Sequence, residues 1–387
     1  MQLRIMTAPA QKFYITTAID YVNDRPHLGH ALEKIQADVL ARYHRLKGGD
    51  VWFLTGTDEH GAKIVRSAEA SGKSPEELAG ENAAKFRALK ETLNLSWDDF
   101  IRTSDRDRHW PGALELWRRL ERAGDIYKKS YRGLYCVGHE AFVTEKDLAD
   151  GKCRDHQTRP EVVSEENWFF RLSRHADEII RRIDSGELGI FPSSRRNETS
   201  AFIRGGLEDG SFSRPSKDLG WGIPVPGDAT QTMYVWCDAL ANYITALGFG
   251  RQDKEFLRWW PADLHVIGKD ILRFHAVIWP GMLLSAGLPL PKRIFVHGFI
   301  TVDGQKMSKT VGNVIDPAGL VKRYGTDPLR YYLLREIPTQ EDGDFSVAKF
   351  EERYNGDLAN CLGNLVARVA SLGEKICPVA FNFPKDL

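Results

Sequence analysis

Cysteine is scarce in this sequence, with five in 387 residues. That is too few for a disulfide framework, and a reducing, cytoplasmic location is expected. An excess of one charge is also missing: Lys plus Arg and Asp plus Glu both number 53, a formal net charge of zero. Dedicated DNA and membrane-surface binders carry a basic excess, so neither DNA nor a membrane is an expected partner. Any contact with nucleic acid must use a local patch. Long apolar runs are absent too. No stretch approaches the roughly 18 apolar residues of a bilayer span, and Met1 to Lys12 reads as lacking a signal peptide. Internal repeats and low-complexity tracts are likewise missing. What remains is a long chain, 42% hydrophobic, sufficient for two or three domains with their own cores.

The first third alternates strand-like and helix-like segments. Lys12 to Ile19 is a β-branched and aromatic run, followed by the turn-rich Asn23-Asp24-Arg25-Pro26. A helix fits His30 to Leu46, with Leu32, Ile35, Val39, Tyr43 and Leu46 at steps of three and four. Gly48-Gly49 stops it. Val51 to Thr57 reads as a second strand. Ser74-Pro75-Glu76-Glu77 is a helix start with Ser as N-cap, Pro at the first helical position and Glu three residues after the cap. Such alternation predicts an α/β fold with a parallel sheet covered by helices. The pattern breaks near Gly124. Gly133 to Pro226 is richer in short strands, turns and charges and reads as an insertion. Leu264 to Gly268 and Arg293 to Val302 are again strand-like, Asp270 to Leu284 is helix-like despite Pro280, and Asp316 to Val369 is mostly helical by period.

His27-Leu28-Gly29-His30 lies between a strand and a helix, at the lip of the expected sheet. Open α/β sheets bind ligands beyond the carboxyl ends of their strands, and a helix N-terminus offers free N–H groups to phosphate. Two imidazoles on one turn add neutral donors, and Gly29 lets a flat base approach the backbone. The alternative is a pair of helix-capping histidines with no ligand. Lys306-Met307-Ser308-Lys309-Thr310 follows a strand and the turn Asp303-Gly304-Gln305. Two lysines at this spacing suit a mobile loop closing on a triphosphate; the alternative is a solvated Lys-rich turn. Both motifs fall at strand ends, in the order a split nucleotide-binding fold needs.

These two motifs resemble the signatures of class I aminoacyl-tRNA synthetases. Ile15–Asn23 (ITTAIDYVN), Thr55–Gly61 (TGTDEHG), Tyr234–Tyr243 (YVWCDALANY), His265–His275 (HVIGKDILRFH) and Asp357–Leu365 (DLANCLGNL) narrow the resemblance to the methionyl-tRNA synthetase family, over almost the whole chain. The resemblance implies a Rossmann-like, doubly wound parallel sheet, split by a connective insertion that carries a zinc-knuckle-like element and followed by C-terminal helices. It divides the chain into a catalytic first half (1–123), the insertion (124–228), a catalytic second half with the lysine loop (229–325), a stem-contact-like linker (326–353) and the incomplete start of an anticodon-binding helical domain (354–387).

The implied activity is methionine–tRNA ligation: ATP and methionine form an adenylate, and methionine then passes to tRNA(Met). By resemblance His27, His30, Lys306 and Lys309 form the catalytic set. ATP is held by them together with Gly29, Gly268, Asp270 and Ser308, and Mg2+ is expected on the phosphates. Asp270 also reads as a helix cap. The positions matching the methionine pocket are Ile19, Tyr21, Trp236, Ala239, Tyr243, Ile271 and His275, with Asp58 for the ammonium; simple core packing is the alternative for most of them. Two positions depart from the family. Asp20 stands where an aromatic residue is common, which is expected to alter the pocket rim, and Leu240 stands where some members carry Pro.

Cys136-x2-His139 and Cys153-x2-His156 have the spacing of a tetrahedral Zn2+ knuckle. The alternative is a knuckle that has lost its metal and is held by polar contacts. Relatives for valine, isoleucine and leucine carry a large editing domain, whereas here only about 280 residues separate His27 from Lys306. A cysteine-specific relative needs an early pocket thiolate, and the first cysteine here is Cys136. A non-catalytic paralogue is disfavoured by intact motifs. Only about 30 residues follow Asp357, too few for a helix bundle. The expectation is therefore a truncated, monomeric enzyme that adenylates well and charges tRNA poorly.

Overall fold

The β-branched run near the N-terminus becomes the strand Lys12–Tyr21, and the molecule is organised around it. In this computed structural model, residues 11–139, 141–143, 145–155, 157–307 and 312–376 are described. Asp50–Asp58 and Leu264–Gly268 flank that strand, both parallel to it. Asp99–Arg102 lies beyond the first, and Arg293–His297 and then Gly189–Phe191 beyond the second. Every pairing in this six-stranded sheet is parallel. Strand order reverses between Lys12–Tyr21 and Leu264–Gly268. The crevice beyond their carboxyl ends is therefore where a doubly wound sheet takes its ligand.

Strand alternation builds a core on each face. Phe13, Ile15, Phe53, Phe100 and Val266 point to one side, and Tyr14, Leu54, Ile101 and Ile267 to the other. Helices Leu28–Leu46, Pro75–Thr92 and Thr326–Arg335 cover the first face, and Trp110–Arg122 and Trp279–Ser285 the second. Each fully buried Leu or Phe contributes roughly 1.5–3 kcal/mol. Pro75–Thr92 begins as its sequence dictates: Glu77 N–H donates to Ser74 Oγ at 3.2 Å, and Ser74 N–H donates to the Glu77 carboxylate at 2.9 Å.

Several expectations change in detail. In helix Leu28–Leu46 the stripe reading holds only for Leu32 and Ile35. Val39, Tyr43 and Leu46 are exposed, because the first half of the helix is enclosed on most sides and the second half is not. The run Arg293–Val302 is two strands rather than one. It breaks at Gly298, where a Cβ would lie 2.2 Å from the Glu341 backbone. Ile300–Val302 then joins a separate sheet with Gln305–Lys306 and Gly343–Phe345. Asp270–Leu284 resolves into a 3-10 turn, a π-helical turn Phe274–Ile278 and the α-helix Trp279–Ser285, with Pro280 in the first turn, where no intrahelical bond is lost. The stretch read as an insertion carries a four-stranded antiparallel sheet, Gly210–Ser211, Glu161–Phe170, Ile126–Cys136 and Ala141–Val143 in spatial order. It also supplies Gly189–Phe191 to the edge of the central sheet.

Candidate active site

The chain leaves the central strand at Tyr21 and turns into helix Leu28–Leu46 through His27, an extended N-cap with φ −135°. His27 Nδ1 accepts from Gly29 N–H at 3.1 Å, and His30 Nδ1 accepts from His27 N–H at 3.1 Å. The two rings stack at 3.8 Å, and His30 meets the edge of Phe86. Both imidazoles therefore cap the helix. With each Nδ1 occupied as an acceptor, the ring proton sits on Nε2, a donor that capping does not consume. Burial pushes His27 down to about 4 and His30 well below its usual range, so both are neutral near pH 7. Gly29 has a further reason to lack a side chain: a Cβ would sit 2.9 Å from His27 Cε1.

Beneath His30 lies a buried ionic group that the motif reading missed. Lys34, one turn on, is fully buried, and Asp20 and Glu33 are 5% and 6% exposed. Lys34 Nζ pairs closely with Asp20 and lies 3.9 Å from Glu33 Oε1, while His30 Nε2 lies 3.9 Å from Asp20 Oδ1. Glu33 in turn faces His297 Nε2 at 3.2 Å, at the end of strand Arg293–His297. Burial raises the Asp20 carboxyl to about 7 against the pull of Lys34. Burial works against charge on His297, and the Glu33 carboxylate overrides it and raises the imidazole. Asp20 thus does not reach the pocket rim as expected. Alternation turns Ile19 to the opposite face from it, while Tyr21 packs against the cores on both faces. One local signal was available: Lys34 lies four residues after His30 and shares its helical face.

Across the sheet, Gly268 ends strand Leu264–Gly268, and Asp270 curls back so that a Cβ on Gly268 would meet its Oδ1 at 2.7 Å. Lys306 ends the short strand Gln305–Lys306, exposed, its ammonium 5.7 Å from the centre of the Phe299 ring. Ser308 and Lys309 lie outside the described residues.

The aromatic positions converge on the other side of the central strand. Trp236 stacks on Phe274 at 3.7 Å and meets His275 edge-on. The π-helical turn lets His275 Nδ1–H donate to Ile271 C=O at 3.0 Å. That leaves Nε2 to accept from Tyr243 O–H at 2.7 Å. Burial holds His275 at about 4, hence neutral. Tyr14 O–H donates to the Tyr243 carbonyl at 2.7 Å, fixing this segment to the central strand. Ala239 and Tyr243 are buried, and Ile19, Tyr21, Trp236 and Ile271 pack half-buried against the core that holds Tyr243. Asp58 ends strand Asp50–Asp58 directly opposite Tyr21, 5% exposed, with Thr103 Oγ1 at 3.5 Å. The structure thus brings Ile19, Tyr21, Trp236, Tyr243 and Ile271 to one core, with His275 bonded to Tyr243; Ala239 is buried on helix Val235–Leu240, and Asp58 is paired with Tyr21 on the neighbouring strand.

Farther out, donor atoms of Cys136, His139 and Cys153 lie within 4.8 Å of one another. Both thiols are buried. Two sulfurs and an imidazole at that spacing fit a tetrahedral zinc ion. The fourth expected ligand, His156, lies outside the described residues. His139 Nε2 contacts Asp155 at 2.9 Å, and its Nδ1 faces Cys153 Sγ at 3.5 Å.

Fold and cleft define a class before a particular activity. The family model described as tRNA synthetases class I (M) matches residues 13–153 and 143–370. Among curated relatives, a methionine–tRNA ligase of Brucella suis is 52% identical over 371 residues, spanning 95% of this chain and 72% of the relative. One from Thermotoga maritima is 48% identical over 368 residues, spanning 94% and 58%. The Mycobacterium tuberculosis methionyl-tRNA synthetase in complex with methionyl-adenylate matches with a TM-score of 0.91 at 47% identity, covering 97% of this chain and 75% of that one. Its apo form matches at 0.81 and 43% identity, covering 97% and 73%. This chain belongs to the methionine–tRNA ligase family of class I synthetases.

Proposed function

We propose that the chain activates L-methionine with ATP and passes the methionyl group to the 3′ end of tRNA(Met). A carboxylate oxygen of methionine attacks the α-phosphorus, the bond to the bridging oxygen breaks, and pyrophosphate leaves with the electron pair. A tRNA ribose hydroxyl then attacks the acyl carbon, AMP departs, and the hydroxyl proton passes to water. The first nucleophile is already ionised, so the work is positioning and stabilisation of phosphoryl charge. The observation that carries this reading is the pair of neutral imidazoles, capped through Nδ1, with Nε2 donors at the switch point.

In this reading His27 and His30 donate to phosphate oxygens, and Gly29 faces the base. Gly268 and Asp270 hold the ribose, and Lys306, Ser308 and Lys309 close on the β- and γ-phosphates. Asp58 takes the ammonium; Ile19, Tyr21, Trp236, Ala239, Tyr243, Ile271 and His275 enclose the thioether. Mg2+ on the phosphates would neutralise part of their charge. Cys136, His139 and Cys153, with His156, would hold one structural zinc, which metal analysis of protein purified without chelator tests. The division at residues 123, 228, 325 and 353 belongs to the same proposal. So do a monomeric state, which rests on the resemblance, and a cytoplasmic location, which rests on the cysteine count. Among the described residues no helix is long and apolar enough to cross a membrane. Methionine-dependent ATP–pyrophosphate exchange is the direct test, and its absence in folded protein overturns the reading.

A further inference from the structure

A buried carboxylate outside the ATP and methionine groups ties together three segments that are far apart in sequence. Asp238 lies on the short helix Val235–Leu240, between Trp236 and Ala239, and is 1% exposed. One oxygen contacts His60 Nδ1 at 2.6 Å and the other His109 Nε2 at 2.6 Å. An ionised carboxylate only accepts, so each imidazole gives it an N–H. His109 Nδ1 is in turn 2.8 Å from Thr245 Oγ1. Burial would push the Asp238 carboxyl up, but the two imidazoles more than reverse this and hold it at about 2. Short, charge-assisted bonds of this kind are the strong ones in a protein interior.

The position of the three groups gives the cluster its meaning. His60 is two residues beyond Asp58, and His109 is the N-cap residue of helix Trp110–Arg122. The loop bearing Asp58 is also pinned through Glu59, whose carboxylate takes Arg102 at 2.7 and 2.8 Å. Asp238 sits on the same short helix as Trp236 and Ala239. The clamp therefore joins the loop proposed to read the substrate ammonium to the wall proposed to read its side chain. A six-residue helix has little rigidity of its own.

We propose that His60, Asp238 and His109 are positioning residues that fix the span between Asp58 and the Trp236–Ala239 wall, and so determine which amino-acid side-chain length is accepted. The proposal rests on the methionine reading above. As positioning residues, the three act through Asp58 and the Trp236–Ala239 wall.

The test is steady-state pyrophosphate exchange by His60→Leu and His60→Asn, since an Asn amide can place a donor near the position of Nδ1. His60→Leu is expected to raise the methionine KM about tenfold, narrow its advantage over the one-carbon-longer ethionine and the one-carbon-shorter norvaline, and leave the ATP KM within about twofold. His60→Asn is expected to recover most of the loss. An unchanged methionine KM in His60→Leu overturns the proposal. So do methionine and ATP KM values that rise together, or a His60→Asn variant no better than His60→Leu. If His60→Leu does not fold, His109→Leu against His109→Gln decides by the same ratios. Wild-type protein with no methionine-dependent exchange would instead refute the underlying function.

Discussion

The two walls of the cleft solve opposite problems with similar residues. On the helix side, Asp20, Glu33, Lys34 and His297 bury several charges together beneath His30. On the aromatic side, Tyr243, His275 and Trp236 form a network in which burial keeps the one imidazole of the His275–Tyr243 pair neutral. A polyanion calls for fixed charges and donors that cost little to reorganise. A thioether calls for polarisable walls without charge. In the proposed reading the same residue type, histidine, serves both walls, and its hydrogen-bond partners decide how.

The comparison breaks first at Lys34. Lys34→Met leaves Asp20 without its cation and Glu33 with His297 alone, and a loss of about 3–5 kcal/mol in unfolding free energy is expected. Urea denaturation measures it, and adding Asp20→Leu restores part of the loss. On the same wall, His30→Ala is expected to lower kcat of pyrophosphate exchange about 10²–10³-fold while changing the methionine KM little. The aromatic wall gives smaller effects. His275 has its folded pKa depressed to about 4 from 6.5. Its protonation is favoured in the unfolded chain, so its contribution to stability falls as pH drops below 6.5 and stops changing below 4. Denaturation at a series of pH values is expected to show His275→Gln reducing the slope between those limits by up to about 1.4 kcal/mol per pH unit. Smallest is Tyr243→Phe, which removes the hydroxyl that His275 accepts. A rise of about fivefold in methionine KM, roughly 1 kcal/mol, with an unchanged ATP KM is the expected outcome.

Features encoded over a few residues were legible before the fold was known. The Ser74–Glu77 capping box and the strand–helix alternation are of this kind, because their partners lie within one turn or one period. The histidine motif was legible too, as a helix start: the rings cap the helix through Nδ1 and leave Nε2 uninvolved in capping. What could not be read depends on distant chain. Glu33 meets His297 across 264 positions, and Asp238 meets His60 across 178. Gly298 splits an apparently continuous strand only because Glu341 crosses there. The exposed stripe Val39, Tyr43 and Leu46 has a core-like period, and only the outline of the sheet decides that it stays uncovered.

The capping role of His27 and His30 carries one more consequence. Their tautomers are set by backbone N–H groups that are oriented only while the opening turn of helix Leu28–Leu46 is wound. Fraying of that single turn would release both rings at once and scramble which nitrogen bears hydrogen. If these rings hold phosphate as proposed, that recognition should fail on warming as one cooperative event, ahead of global melting, with the local order of four residues acting as the thermostat of the site.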